Sequence, residues 1–212
     1  MIKRFNCHNV VFDLDGTLWT PLALSIEAWR QACIVHHFDP DLIKGELVAK
    51  IYGMVFEEAA EIILPMLPEN VRMNILFDAG RIENSLIEKR LGTLYDGVFD
   101  TLELLSRTKR LFLCSNCQSG YIEAFSRTYD VSRFFTATIA SGDTGVYKTA
   151  NLKTLIHRYD IDTAVFVGDT ESDHHAAATN NIPFVYAAYG FGNLTDFDAS
   201  IEKFSDLLYL LE

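Results

Sequence analysis

Four polar clusters in this chain each follow an apolar run, and their side chains are of the kinds that handle phosphate and divalent cations. Val10-Val-Phe-Asp-Leu-Asp-Gly-Thr17 carries Asp13 and Asp15, and Leu111-Phe-Leu-Cys-Ser-Asn116 carries Ser115 and Asn116. Ser141-Gly-Asp-Thr-Gly-Val-Tyr-Lys148 ends on an ammonium, and Val165-Phe-Val-Gly-Asp169 leads on to Asp173. A carboxylate can act as nucleophile, acid, base or hard-metal ligand; a hydroxyl can donate to a phosphoryl oxygen; an ammonium can offset charge that develops there. Taken singly, an Asp after a strand is usually a turn residue or helix cap, and Ser115, Lys148 and Asp173 have equally plain structural readings. Taken together, several carboxylates at one rim repel one another unless something neutralises them. A hard cation with oxygen ligands resolves that conflict, and Mg²⁺ typically takes a few carboxylates plus a substrate phosphate.

Such chemistry needs those clusters on one rim, and the elements between them supply it. Short apolar runs over 9–12, 111–114, 136–140, 164–167 and 184–187 read as buried strands. Helical periodicity over 120–128, 149–159 and 172–180 separates the later four, which predicts right-handed crossovers and a parallel sheet covered on both faces. In such a sheet ligands bind outside the carboxyl ends of the strands, where all four clusters fall. About a third of the chain separates the first strand from the second, far more than the roughly dozen residues a crossover needs. Helical spacing over 25–36, 41–51, 56–64 and 69–91, punctuated by Pro40, Gly53, Pro65, Pro68 and Gly92, predicts a helical insert. The expected division is a core of 1–18 and 95–212 and an insert of 19–94, with hinges near 18–22 and 91–95.

Composition narrows the partners. The 212 residues are 49% hydrophobic, enough for a sizeable core, and the formal charge of −11 disfavours a nucleic-acid backbone or an anionic membrane surface. No apolar run approaches the roughly 20 residues that span a bilayer. The first eight residues make a poor signal peptide, and Cys7, Cys33, Cys114 and Cys117 suit reduced thiols. A cytoplasmic protein is expected, monomeric or homodimeric.

Asp13-Leu-Asp15-Gly-Thr17-Leu18, Ser115-Asn116, Lys148 and Gly168-Asp169-Thr-Glu-Ser-Asp173 resemble the four motifs of the haloacid dehalogenase-like (HAD) superfamily. They come in that family's order and span nearly the whole chain. The insert resembles the cap of the phosphoglycolate phosphatase and β-phosphoglucomutase branch, as Tyr95-Asp-Gly-Val98 resembles the turn by which that branch re-enters its core. The resemblance implies an α/β fold: a HAD-type, Rossmann-like parallel-sheet core with an inserted all-helical cap. It implies Mg²⁺-dependent hydrolysis of a small phosphomonoester, phosphoglycolate or a sugar phosphate, through an aspartyl-phosphate. Asp13 is then the nucleophile and Asp15 the acid and later the base. The Asp13 carboxylate, the Asp15 backbone carbonyl and Asp169 hold Mg²⁺, with Asp173 supporting that shell. Ser115 donates to a phosphoryl oxygen, Asn116 helps position it, and Lys148 offsets the developing charge.

The chain departs from its relatives at Trp19-Thr20-Pro21, where many carry an acidic residue, and at Thr149, where many place Pro. Gly168 stands where β-phosphoglucomutase relatives often have Glu, which favours hydrolysis over the alternative of a phosphomutase. A dehalogenase has no use for Asp15, and a phospho-accepting signalling domain of the receiver type has no place for the insert. Cys114-Ser-Asn-Cys117 has redox C-x-x-C spacing, but Ser115 already has a use there. His174 and His175 read as helix-start residues, and 142–149 lacks the Gly-Lys-Ser/Thr end of a P-loop. Trp19, Trp29, Phe56, Met54, Met66 and Met73 either line a substrate pocket or pack the insert, and core is the default reading for most of them.

Overall fold

Val10, Val11 and Phe12 are wholly buried although they are consecutive, so their strand must be covered on both faces. The structure, a computed structural model, describes residues 4–89 and 92–212, and for Phe56 and Glu57 the backbone alone. In chain order the first elements are β1 (Asn9–Phe12), β2 (Trp19–Thr20), α1 (Leu22–Val35), α2 (Gly45–Lys50), α3 (Phe56–Ile63) and α4 (Glu69–Glu88). Then follow β3 (Thr93–Leu94), α5 (Val98–Ser106), β4 (Arg110–Ser115), α6 (Tyr121–Thr128), β5 (Phe135–Ala140), α7 (Ser141–Thr144) and α8 (Lys148–Arg158). The chain closes with β6 (Ala164–Gly168), α9 (Glu171–Thr179), β7 (Phe184–Ala187), β8 (Ala199–Ile201) and α10 (Leu207–Leu210).

Six strands form one parallel sheet in the order β5-β4-β1-β6-β7-β8, with Val11 level with Phe112 on one side and Phe166 on the other. Alternation sends Val10, Phe12, Leu111, Leu113 and Val167 to the cluster under α5, α6 and α10. Val11, Phe112 and Phe166 go to the cluster under α8 and α9. All five expected strands are present. β8 was not foreseen; three residues are too few to establish a period of two.

The helices α1–α4 pack mainly on one another around Trp29, Cys33, Ile63, Ile75 and Leu76. Met73 lies at the edge of that cluster, and Met54 and Met66 are exposed. Trp19 belongs instead to the sheet-side core, beside Tyr121, Phe125 and Tyr129. The helix expected over 41–51 is broken: Asp39 caps a 3₁₀ turn at Pro40–Leu42, and Ile43 and Lys44 are extended before α2 begins. The insert leaves and returns through a two-residue antiparallel ladder, Trp19 opposite Leu94 and Thr20 opposite Thr93, followed by Tyr95 N donating to Leu18 O at 3.1 Å. Leu91, expected at a hinge and at the end of the long helix, lies outside the described residues, as does the side chain of Phe56. Among the described residues no helix is long and apolar enough to cross a membrane.

Candidate active site

Asp13 is the first residue beyond β1, and its backbone N–H still donates to Val167 O at 2.9 Å, so the sheet fixes its position. Its Oδ1 lies 2.6 Å from Nζ of Lys148, on the first turn of α8. The same Nζ is 2.5 Å from Oδ1 of Asp173. Asp173 Oδ2 accepts from the backbone N–H groups of Asp169 and Thr170 and from Thr170 Oγ1. Asp173 is therefore both the closing residue of the α9 capping box and a partner of the lysine. Asp169 is wholly buried, accepting from Thr17 Oγ1 at 3.2 Å and from Phe191 N–H at 2.7 Å. Oxygens of Asp13, Asp169 and Asp173 lie within 4.8 Å of one another, a grouping able to hold a metal ion, and it includes no histidine.

Asp15 points elsewhere. Trp19 Nε1 donates to its Oδ1 at 2.7 Å and Tyr121 OH donates to the same oxygen at 2.8 Å. The turn between the two aspartates and Trp19 needs Gly16, whose φ is +84°; a Cβ there would stand 2.6 Å from Asp169 Cγ. Asn116, at the end of β4, is a junction. Its Oδ1 accepts from Ser141 Oγ and from Lys148 N–H, and its Nδ2 donates to Gly53 O of the insert at 2.9 Å and to Ser172 Oγ. Ser115 is buried beside it, its Oγ accepting from Cys117 N–H at 3.4 Å.

Asp13, Asp15, Ser115, Asn116, Tyr121 and Lys148 line a cavity of about 60 Å³ at the carboxyl ends of β1 and β4, roofed by Ser25, Trp29, Tyr52 and Glu83 of the insert. Burial and then the nearby Asp173 push Asp13 up to about 7, with Lys148 opposing. Burial and then Glu83 push Asp15 up to about 7, with the bonds from Tyr121 and Trp19 opposing. Burial, then Asp173 and Asp13, hold Asp169 well above the usual carboxylate range. For Lys148 burial works against the charge, but Asp13 and Asp173 outweigh it and raise the ammonium above its ordinary value. The grouping thus carries more negative charge than one lysine neutralises, and its all-oxygen donors suit a hard divalent cation.

All seven residues singled out from the sequence converge on this rim. The sequence reading did not single out Tyr121, Thr170, the Phe191 N–H or Glu83, and it took Trp19 for insert core. Glu83 had a signal: it stands in the buried stripe of α4, between Ala79 and Leu86–Ile87, where a charge is out of place. Cys114 and Cys117 are unpaired and belong to the clusters on opposite faces of the sheet. Burial pushes the Cys114 thiol up to about 12, which leaves it unreactive.

Residues 10–187 match the family model described as haloacid dehalogenase-like hydrolase. The chain is 25% identical over 189 residues to tyrosine-protein kinase PtkA of Mycobacterium tuberculosis, covering 86% of this chain and 62% of that protein. It therefore spans less than two thirds of that relative's length. Among solved structures, a predicted phosphoglycolate phosphatase from Haemophilus somnus superposes with a TM-score of 0.84 at 19% identity, covering 96% of this chain and 97% of that one. CbbY from Rhodobacter sphaeroides, in complex with phosphate, does so with 0.79 at 18% identity, covering 95% and 96%. At such identities the likeness is one of fold.

Proposed function

This chain belongs to the haloacid dehalogenase-like hydrolases, and we propose that within that family it is a Mg²⁺-dependent phosphatase of small phosphomonoesters, working through an aspartyl-phosphate. The observation that carries the reading is the grouping of Asp13, Asp169 and Asp173, with Lys148 bound to Asp13 and Asp173, beside a small cavity that Asp13 and Lys148 line. Phosphate in the CbbY complex and the phosphatase description of the Haemophilus protein agree with it.

The Asp13 carboxylate attacks phosphorus in line, and the bond from phosphorus to the ester oxygen breaks as the bond to Asp13 forms. Asp15 gives its proton to the departing alkoxide. Trp19 and Tyr121 both donate to Oδ1 of Asp15, which leaves Oδ2 to carry that proton. A water then attacks the aspartyl-phosphate, Asp15 takes its proton, and inorganic phosphate leaves with Asp13 restored. A pKa near 7 suits both duties at neutral pH. Ser115 donates to a phosphoryl oxygen, Asn116 holds the Ser141 and Lys148 segments in place, and Lys148 offsets charge on the transferring group. Asp13, the Asp15 carbonyl, Asp169 and Asp173 would hold Mg²⁺, which when bound supplies the charge that keeps the aspartates ionised and screens the phosphoryl oxygens. The insert, residues 19–94, acts as a cap that excludes bulk water during the two displacements.

A mutase would retain the phosphoryl group. Gly168 opposes that alternative, because a Cβ there would lie 2.5 Å from Asp173 Cβ, leaving no room for the larger residue of the mutase motif. The test is phosphate release from small phosphomonoesters, with Mg²⁺ and with a chelator, using Asp13→Asn as the blank. Metal-dependent release absent from the variant is expected. Isomerised ester with little free phosphate would establish the mutase instead, and no reaction with any ester would remove the reading.

A further inference from the structure

The cavity has a second set of polar side chains that phosphoryl transfer does not use. Glu83 is 8% exposed, in the otherwise apolar stripe of α4. Its Oε1 accepts from Ser25 Oγ at 2.5 Å and its Oε2 from Gln118 Nε2 at 2.9 Å. Ser25 in turn accepts from Tyr52 OH at 2.8 Å, and the Tyr52 ring is held by stacking on Phe191, centroids 4.1 Å apart. Burial raises the Glu83 carboxyl above its ordinary value, and the bonds from Ser25 and Gln118 oppose that rise, so both carboxyl oxygens have donors that support the anion. Among the residues lining the cavity the one cation is Lys148, and Asp13 and Asp173 already engage it. No free cation among the described residues that line the cavity therefore answers Glu83, whose charge is met by hydrogen bonds alone, so a ligand hydroxyl or ammonium would add to them.

Resting on the phosphatase reading, we propose that Glu83, set by Ser25 and Tyr52, selects the leaving group. The substrate is the phosphate of an alcohol bearing hydroxyl or ammonium donors, and an ester whose leaving group carries a carboxylate is rejected. A hydroxyl or ammonium placed under the insert meets the remaining lone pairs of Glu83. A carboxylate in the same place meets the like charge of Glu83 and finds no free cation among the described residues that line the cavity. Of the two substrate classes implied by resemblance, the site takes sugar or amino-alcohol phosphates and refuses phosphoglycolate.

The experiment compares kcat/KM for glycerol phosphate, ethanolamine phosphate, a hexose phosphate and phosphoglycolate in the wild type, Glu83→Gln and Ser25→Ala. The best donor-bearing ester is expected to exceed phosphoglycolate by at least about tenfold in the wild type, the scale of one unmatched polar contact. Glu83→Gln should narrow that ratio, partly by improving phosphoglycolate. Ser25→Ala, which leaves the charge in place, should weaken the donor-bearing esters without admitting phosphoglycolate. Phosphoglycolate cleaved as well as the others by the wild type, or a ratio unmoved in Glu83→Gln, overturns the selection and leaves the phosphatase reading standing. Hydrolysis of no ester by the wild type overturns both.

Discussion

Two aspartates separated by one residue have unlike surroundings, and that difference is the basis of their proposed division of labour. Asp13 faces an ammonium and other carboxylates; Asp15 faces an indole N–H and a phenol. Trp19→Phe keeps most of the ring packing against Tyr121 and Phe125 but removes one donor from Asp15. Steady-state kinetics should show kcat reduced about tenfold, as expected for a hydrogen bond to a charged group, with KM little altered. An unchanged kcat would mean that Trp19 serves packing alone. The seven candidate residues were legible because each follows an apolar run, and the sheet brings the ends of such runs to one rim. Trp19 was not legible as a partner of Asp15, since the contact depends on a turn at Gly16 that periodicity does not reveal. Glu83 was visible only as a misplaced charge, and which groups it met depended on how the insert docks.

At the scale of elements, strands of four to six apolar residues between helices were readable, whereas the two-residue ladder of β2 and β3 carries no period to read. The Gly16 turn is the tightest constraint. Gly16→Ala should cost about 1–2 kcal/mol for the left-handed backbone alone, and more because its Cβ would press on Asp169. Urea unfolding measures the loss, and a variant as stable as wild type would show that the loop relaxes freely. Within the insert, Asp78 of α4 binds His36, just beyond α1, at 2.9 Å and Arg81 at 2.7 Å. The bond to His36 holds Asp78 below its ordinary value of 3.8, with burial opposing and Arg81 adding to the depression. A group depressed on folding stabilises above its unfolded pKa, and the contribution is lost as pH falls through the folded value. Asp78→Asn should therefore melt lower than wild type near pH 6, with the difference shrinking as pH falls below 3.8 towards about pH 2. A difference that is the same at both values would rule out this ion pair as its source.

Across the whole molecule, the insert is shut against the sheet side by Asn116 on Gly53, Gln118 on Glu83, Asn84 on Ser119 and Tyr147 on Glu58. Three of those contacts involve the loop after β4, so the state of the insert and the placing of Ser115 are mechanically joined. A space of about 60 Å³ under the insert should favour compact esters. Phosphorylated peptides are expected to react at least about tenfold more slowly than a small sugar phosphate in competition assays, since water exclusion fails when closure is blocked. Equal rates would mean that chemistry proceeds with the insert open.

β1 lies inside the sheet, and both of its neighbours come from the second half of the chain: Val11 must await Phe112 and then Phe166. During synthesis on the ribosome the strand emerges long before either. The α1–α4 cluster, whose partners are mostly close in sequence, can form in that interval. An apolar segment with two unpaired edges meanwhile stays available to other chains. The strand that leads into Asp13 is made early and satisfied late, so the burden of escaping aggregation falls on the same few residues that position the site.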